Sequence, residues 1–158
     1  MGDRWKWGVR RNGLAEFLSR PAWQQALVVF VDDDDLKRRQ WLEIARGEGF
    51  HVAGADSAYV ANQQAGDVYV FDISAVSGLY DRMQWSWSPI CNLMDHHPGA
   101  IVIILSAVGR RYAEEVLDDI EERSGTRPHY GGTGSWEELY PILRDVLGID
   151  RDEPGVQA

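Results

Sequence analysis

VVFVDDDDLKRR, residues 28–39, runs from four apolar residues directly into four aspartates and then into a basic segment. An uninterrupted apolar run rich in valine is typical of a strand that is covered on both faces of a parallel sheet. Four like charges at the end of such a strand repel one another. The stretch therefore predicts a buried strand and raises the question of what compensates its charge.

Composition limits the classes of protein that this chain can represent. Its 158 residues, 44% of them apolar, suffice for one domain with a full core. The 25 acidic residues outnumber the 16 basic ones, and the formal charge of −9 argues against a nucleic acid or an anionic membrane as partner. With one cysteine, no membrane-length apolar run and no secretory signal, we expect a soluble cytoplasmic protein.

Composition also divides the chain into three parts. Residues 1–25 contain three tryptophans without a strand pattern, and they predict an N-terminal arm with a short helix. Residues 26–148 carry the regular patterns of one folded domain. Residues 149–158 are polar, contain Gly and Pro, and predict a frayed tail.

Strand and helix patterns alternate within the predicted domain. Apolar runs predict strands at 26–31, 68–71 and 100–105, and HVAGA is a weaker fourth candidate. Helical periodicity lies between and after them, at 35–50, 109–125 and 135–148. This alternation predicts an α/β fold with a parallel sheet and helices on both of its faces.

Acidic or hydroxyl residues end each of the three stronger strands. Asp32 and Asp33 follow the first strand, Asp72 the second and Ser106 the third. Folds of this class bind ligands outside the carboxyl ends of their strands, where the strand order reverses. Carboxylates gathered there repel one another unless a cation is present. Mg²⁺ fits, because it takes oxygen ligands, keeps several waters and commonly completes its shell with a phosphoryl oxygen.

Helix capping is the simpler explanation for acidic residues that precede a helix. Carboxylates are favourable at the helix N-terminus, where the helix dipole is positive. We predict this role for Asp34 and Asp35, which begin the next helical pattern. For Asp32 and Asp33 we favour cation binding, because oxygen-bearing residues recur at the corresponding strand ends.

Three segments together resemble a known family. VVFVDDDDLKRRQWLEIARGEGF, VYVFDIS and IVIILSA, in this order and at these spacings, resemble the receiver domain of two-component response regulators. The resemblance covers about residues 26–148. It implies the flavodoxin-like arrangement, a five-stranded parallel sheet of order 2-1-3-4-5 with five helices.

The resemblance also implies roles for individual residues. A carboxylate can accept a phosphoryl group if a metal neutralises the charge that develops on the phosphoryl oxygens. The roles implied are Mg²⁺ ligands for Asp32 and Asp33, phospho-acceptor and Mg²⁺ ligand for Asp72, a backbone-carbonyl ligand for Ser74, the switch hydroxyl for Ser106 and the aromatic switch for Tyr130.

One element of the receiver pattern is absent. Receiver domains usually carry a lysine at the end of the fifth strand, which pairs with the phosphoryl group. The only lysines of this chain are Lys6 and Lys37, and the corresponding segment offers Gly132 or Thr133 instead. Without the strand-five lysine, the transition state of phosphoryl transfer would lack a cation. A receiver that works without phosphorylation is therefore an alternative.

The leading functional hypothesis is a stand-alone receiver-like signalling module that acts through protein binding rather than on a diffusible substrate. Its expected partner is a sensor kinase or a downstream effector. Self-association to a homodimer is an alternative. The WSW loop, residues 85–87, is the predicted surface for a protein partner or for self-association, because aromatic residues often anchor protein interfaces.

An enzyme of another class is the less favoured alternative. Asp32 and Asp34 also resemble the opening motif of haloacid-dehalogenase-type phosphatases, in which the first aspartate is the nucleophile and the second the acid/base. Ser106 would then be the second motif, and Asp118 and Asp119 the last. Those two aspartates, however, lie in a helical pattern rather than at a strand end.

Overall fold

A computed structural model of the chain describes residues 13–73 and 87–149. Five parallel strands form one sheet of order β2-β1-β3-β4-β5. This order confirms the predicted fold class. The strands are β1 (Leu27–Val31), β2 (His51–Ala55), β3 (Val68–Asp72), β4 (Ile101–Leu105) and β5 (His129–Tyr130).

Within the described residues, five helices follow the strands. They are α1 (Asp35–Gly47), α2 (Ala58–Asn62), α3 (Ser88–His96), α4 (Arg110–Ser124) and α5 (Trp136–Leu147). Before β1, residues 13–18 are helical and Ala22–Gln25 forms a further short helix. Among the described helices, none is long and apolar enough to cross a membrane.

The core consists of two layers, one on each face of the sheet. Val29 and Val31 of β1 pack on the face covered by α2, α3 and α4, whereas Val28 and Phe30 pack on the face covered by α1 and α5. Because successive residues of a strand point to opposite faces, burial of both faces requires the uninterrupted apolar runs seen in the sequence.

The described end of the N-terminal segment joins this core. The Trp23 side chain is only 6% exposed, and its ring meets the Phe50 ring edge-on at a centroid distance of 5.1 Å. Phe50 in turn contacts Trp136 and Tyr140 of α5. The short helix Ala22–Gln25 therefore helps to close the α1/α5 face, although the sequence placed it in an arm.

The WSW loop lies only partly within the described residues. Trp87 is 2% exposed and belongs to the core on the α3 face, so it does not form the exposed interface that the sequence predicted. Its burial follows from its position at the N-cap of α3, where it packs beneath the helix. Trp85 lies outside the described residues.

We expect Trp23→Ala to lower the free energy of unfolding by about 3 kcal/mol, because it removes a buried aromatic side chain and leaves a cavity. Leu18→Ala is the matched control on the same segment, since the Leu18 side chain is 59% exposed. Its effect should stay within about 0.5 kcal/mol. Urea unfolding followed by tryptophan fluorescence measures both changes, and equal stability of the two variants would contradict the core role of Trp23.

Candidate functional site

Asp32 and Asp33 directly follow β1 at the carboxyl edge of the sheet. The Asp32 backbone N–H donates to the Ala55 carbonyl at 3.1 Å, and its Oδ1 accepts from the Asp34 N–H at 2.9 Å. Asp32 is only 2% exposed. Among the described residues, Asp32 Oδ2 and Asp33 Oδ1 are buried without a hydrogen-bond partner. Burying such oxygens is costly unless a proton or a cation compensates them.

The next two aspartates begin α1, as the sequence predicted. Asp34 is the N-cap, and its Oδ1 accepts from the N–H groups of Leu36 at 2.9 Å and Lys37 at 3.1 Å. Asp35 lies in the first turn and pairs with Arg38. The four aspartates thus divide into a pair beside the sheet, of which Asp32 is buried and Asp33 partly buried, and a pair that starts the helix.

Asp72 ends β3 and lies between the ends of β1 and β4. It is 8% exposed and stands opposite Leu105 in the β3–β4 register. Ser106 follows Leu105 and is fully buried, and its Oγ has no hydrogen-bond partner among the described residues. The fold therefore brings the predicted acceptor and the predicted switch hydroxyl to adjacent strand ends.

A lysine reaches the predicted acceptor from the helix side. Lys37 Nζ lies 3.9 Å from Asp72 Oδ2, with the Lys37 side chain 47% exposed and that of Asp72 5% exposed. The sequence did not predict this ion pair, because the family resemblance places the cation at strand five. The feature that could have indicated it is the position of Lys37 in the first turn of a helix that begins at the same edge of the sheet.

Burial disturbs the ionisation of the aspartate pair. The pKa of Asp32 rises to about 7, chiefly because burial penalises the charged carboxylate and also because Asp72 is nearby. The hydrogen bond from the Asp34 N–H and the charge of Lys37 oppose this rise. Burial likewise raises the pKa of Asp33. Among the described residues, burial and the neighbouring carboxylates therefore disfavour the charged form of both aspartates.

Two pockets border the acceptor on opposite sides. One, with an empty volume of about 480 Å³ that includes its open mouth, is lined by both Asp32 and Asp33, by Asp72 and by Tyr59 of α2. The other, of about 410 Å³, lies between α1 and the loop before α5, and Lys37 and Asp72 both line it. Asp72 is thus accessible from the acidic side and from the lysine side.

The predicted metal ligands are only partly within the described residues. Ser74, the predicted carbonyl ligand, lies outside them. Within residues 13–73 and 87–149, no three His, Cys, Asp or Glu side chains form a group arranged to hold a metal ion. Although they do not form such a three-residue group, Asp32 and Asp33, each with a buried oxygen that has no hydrogen-bond partner, and Asp72 are the ligand candidates among the described residues.

Two glycines at the end of strand five are closely packed. A Cβ atom on Gly131 would lie 2.6 Å from Ile103 Cγ2 and 2.7 Å from Leu105 Cδ2. Gly132 has a φ of +105°, and a Cβ there would lie 2.5 Å from Glu138 Cβ. Neither position accepts a side chain without displacement of the core or of α5.

Thr133, the other residue at the predicted lysine position, forms hydrogen bonds to Glu138 instead. Its hydroxyl donates to Glu138 Oε1 at 2.6 Å, and its N–H donates to the same atom at 3.2 Å. These bonds, the Thr133 hydroxyl first, lower the pKa of Glu138. Ser135 caps α5 by accepting from the Glu138 N–H at 3.2 Å.

Tyr130 and the two aspartates of the phosphatase alternative, Asp118 and Asp119, lie within the described residues. Tyr130, the predicted aromatic switch, is half-buried in β5 with the Arg110 guanidinium 5.9 Å from its ring centroid, and burial raises its pKa. Asp118 and Asp119, which the phosphatase alternative needs at a strand end, lie within α4. Asp118 pairs with Arg127 at 2.6 Å. This placement does not provide the catalytic edge of a phosphatase of that type.

Sequence comparisons with known proteins give no family. No protein-family model matches the chain, and no curated protein matches it.

Solved structures, in contrast, are similar in fold. The chemotaxis response regulator CheY4 of Vibrio cholerae superposes with a TM-score of 0.58 at 15% identity, over 77% of this chain and 98% of that one. A two-component response regulator from Clostridium difficile gives 0.60 at 12% identity, over 78% and 96%.

A third similar structure is a response regulator from Burkholderia pseudomallei with a phosphorylated aspartic acid, a calcium ion and citrate. It gives a TM-score of 0.55 at 14% identity, over 82% of this chain and 73% of that one. At these identities the similarity concerns the fold. Together with the strand order, it shows that this chain has the fold of response-regulator receiver domains.

Proposed function

We propose that the chain is an atypical response-regulator receiver in which Asp72 accepts a phosphoryl group and which acts by binding other proteins. The observation that carries this proposal is the placement of Asp72 beside Ser106, whose buried hydroxyl has no hydrogen-bond partner among the described residues. A hydroxyl in that state is suited to donate a hydrogen bond to a phosphoryl oxygen on the neighbouring carboxylate.

The proposed reaction needs few protein groups. An Asp72 carboxylate oxygen attacks the phosphorus of an acyl phosphate or a phosphohistidine. The bond from phosphorus to the donor oxygen or nitrogen breaks, and its electron pair leaves with the carboxylate or with the imidazole, which takes a proton from water. The product is an aspartyl phosphate. Because a carboxylate nucleophile has no proton to remove, the chain need not supply a general base.

The aspartate pair fits a hard divalent cation. Asp32 and Asp33 each have a buried oxygen without a hydrogen-bond partner in the described part of the chain, and burial raises both pKa values. With Asp72, these carboxylates are the candidate ligands for Mg²⁺. When bound, Mg²⁺ would supply the charge that neutralises the equatorial phosphoryl oxygens.

The edge that carries Asp72 also offers apolar surface to a protein partner. Leu36 in the first turn of α1, Tyr59 in that of α2 and Val108 after β4 are 65%, 74% and 62% exposed. All three belong to segments that follow strand ends, at the edge of the sheet where Asp72 lies. We propose that a sensor kinase or a downstream effector contacts this edge, because partly apolar surface around a polar site favours protein binding.

Binding without phosphorylation is the second candidate function. The packing around Gly131 and Gly132 favours it, since that packing excludes the lysine on which the family relies at strand five. In that case the same edge would bind its partner in one fixed state.

Asp72→Asn is expected to abolish phosphorylation, because the amide is not a phosphoryl acceptor. The measurement is the mass gained after incubation with acetyl phosphate and MgCl₂, together with the release of that mass by hydroxylamine. Asp67→Asn is the matched control at the opposite end of the same strand, where Asp67 Oδ2 accepts from the Leu27 N–H.

The control variant should be phosphorylated like the wild type. If the wild type gains no phosphoryl group and binds no beryllofluoride, the phosphorylation-dependent function is wrong and the second candidate is favoured. Equal phosphorylation of Asp72→Asn and wild type would place the acceptor elsewhere.

Asp32→Asn is expected to raise the free energy of unfolding by about 2 kcal/mol at pH 8 without divalent cations. The folded pKa of about 7 exceeds the ordinary value of 3.8, so the native state binds this proton more tightly than the unfolded chain does. The contribution of this proton to the free energy of unfolding is complete below about pH 4 and is lost as the pH rises to about 7. The gain from asparagine should therefore disappear in acid.

Urea unfolding at pH 4, 6 and 8, with and without MgCl₂, tests this dependence. Mg²⁺ should stabilise the wild type but not Asp32→Asn. Asp56→Asn is the control, because Asp56 lines the same pocket but is exposed. A less stable Asp32→Asn variant at pH 8 would contradict the expected charge repulsion.

A further inference from the structure

We infer that Lys37 takes over the role of the absent strand-five lysine and binds the phosphoryl group of Asp72 from the side of α1. This inference rests on the proposed phosphorylation of Asp72 and adds to it the residue that supplies the protein's positive charge. Nothing in the sequence pattern of the family assigns this role to a residue of the first helix.

The distance and exposure of the two groups suit such a contact. Lys37 Nζ is 3.9 Å from Asp72 Oδ2, which is an ion pair rather than a hydrogen bond. The lysine side chain is 47% exposed and is therefore free to adjust. Both residues line the same pocket, whose empty volume of about 410 Å³ includes its open mouth.

The start of α1 directs the lysine to this position. Asp34 caps the helix and accepts from the Lys37 N–H at 3.1 Å, so the backbone of the first turn is held by a residue next to the site. Side chains on a helix lean toward its N-terminus. A long side chain in this first turn therefore extends to the carboxyl edge of the sheet, where Asp72 lies.

The opposite wall of the site does not supply the charge. Gly131 and Gly132 are packed too closely to be replaced by a lysine. Arg127, which precedes β5, pairs with three residues of α4: with Glu114, with Asp118 at 2.6 Å and with Glu121 at 3.2 Å. Its side chain is thereby held on α4. Within residues 13–73 and 87–149, Lys37 forms an ion pair with Asp72.

A contact through Lys37 would also change which element senses the phosphoryl group. A strand-five lysine would tie that group to β5 and the loop after it. Lys37 ties it instead to the first turn of α1, next to the exposed Leu36. The apolar surface that carries Leu36 is then the part of the partner-binding edge nearest to the phosphorylation signal.

The test compares Lys37→Met, Lys37→Arg and Arg39→Met with the wild type. Methionine removes the charge but keeps the length of the stem, whereas arginine keeps the charge. Arg39 is an exposed cation on the same helix and is the matched control for a general loss of charge. The measurements are the rate of phosphorylation by acetyl phosphate with MgCl₂ and the affinity for beryllofluoride, with thermal unfolding to establish that each variant is folded.

Lys37→Met should slow phosphorylation about tenfold or more, since a positioned charge at a developing anion contributes on this order. Lys37→Arg should recover most of the rate, and Arg39→Met should match the wild type. Wild-type rates in Lys37→Met would overturn the role of Lys37 while the phosphorylation of Asp72 stands. Failure of the wild type to take up either probe would overturn both.

Discussion

The pairing of β3 with β4 is the constraint on which the site depends. Its parallel register sets Asp72 opposite Leu105, so that Ser106 emerges beside the acceptor. The pairing of β1 with β3 brings Asp32 to the same edge. Because parallel strands all end on one side, three residues that are far apart in the chain become neighbours without any direct bond between their side chains.

The physical consequence of this convergence is a shortage of positive charge. Asp32 is buried with one unpartnered oxygen among the described residues, and its pKa rises to about 7. The protein offsets part of the charge with Lys37, which approaches Asp72 from α1. The negative charge that Lys37 does not offset among the described residues is the reason to propose a divalent cation. The Lys37 side chain and the exchangeable cation would then both act on the Asp72 carboxylate.

The sequence predicted the three stronger strands and the positions of Asp34 and Asp35 at the start of α1 correctly, because each is a local property. Uninterrupted apolar runs indicate burial on both faces, and Asp34 caps the helix that immediately follows it. The exposed role assigned to Trp87 was wrong, since the tryptophan packs into the core at the start of α3. The sequence of a loop does not reveal whether one of its aromatic side chains packs into the core, because this depends on residues elsewhere in the fold.

The sequence by itself determined that oxygen-bearing residues end three buried strands and that the family's strand-five lysine is absent. Only the tertiary structure decided how closely the end of strand five is packed and which cation lies near Asp72 among the described residues. Gly131 lies against Ile103 and Leu105 of the neighbouring strand, which leaves no space for a side chain. Lys37 reaches Asp72 across the gap between α1 and β3, a distance that packing sets and residue spacing does not encode.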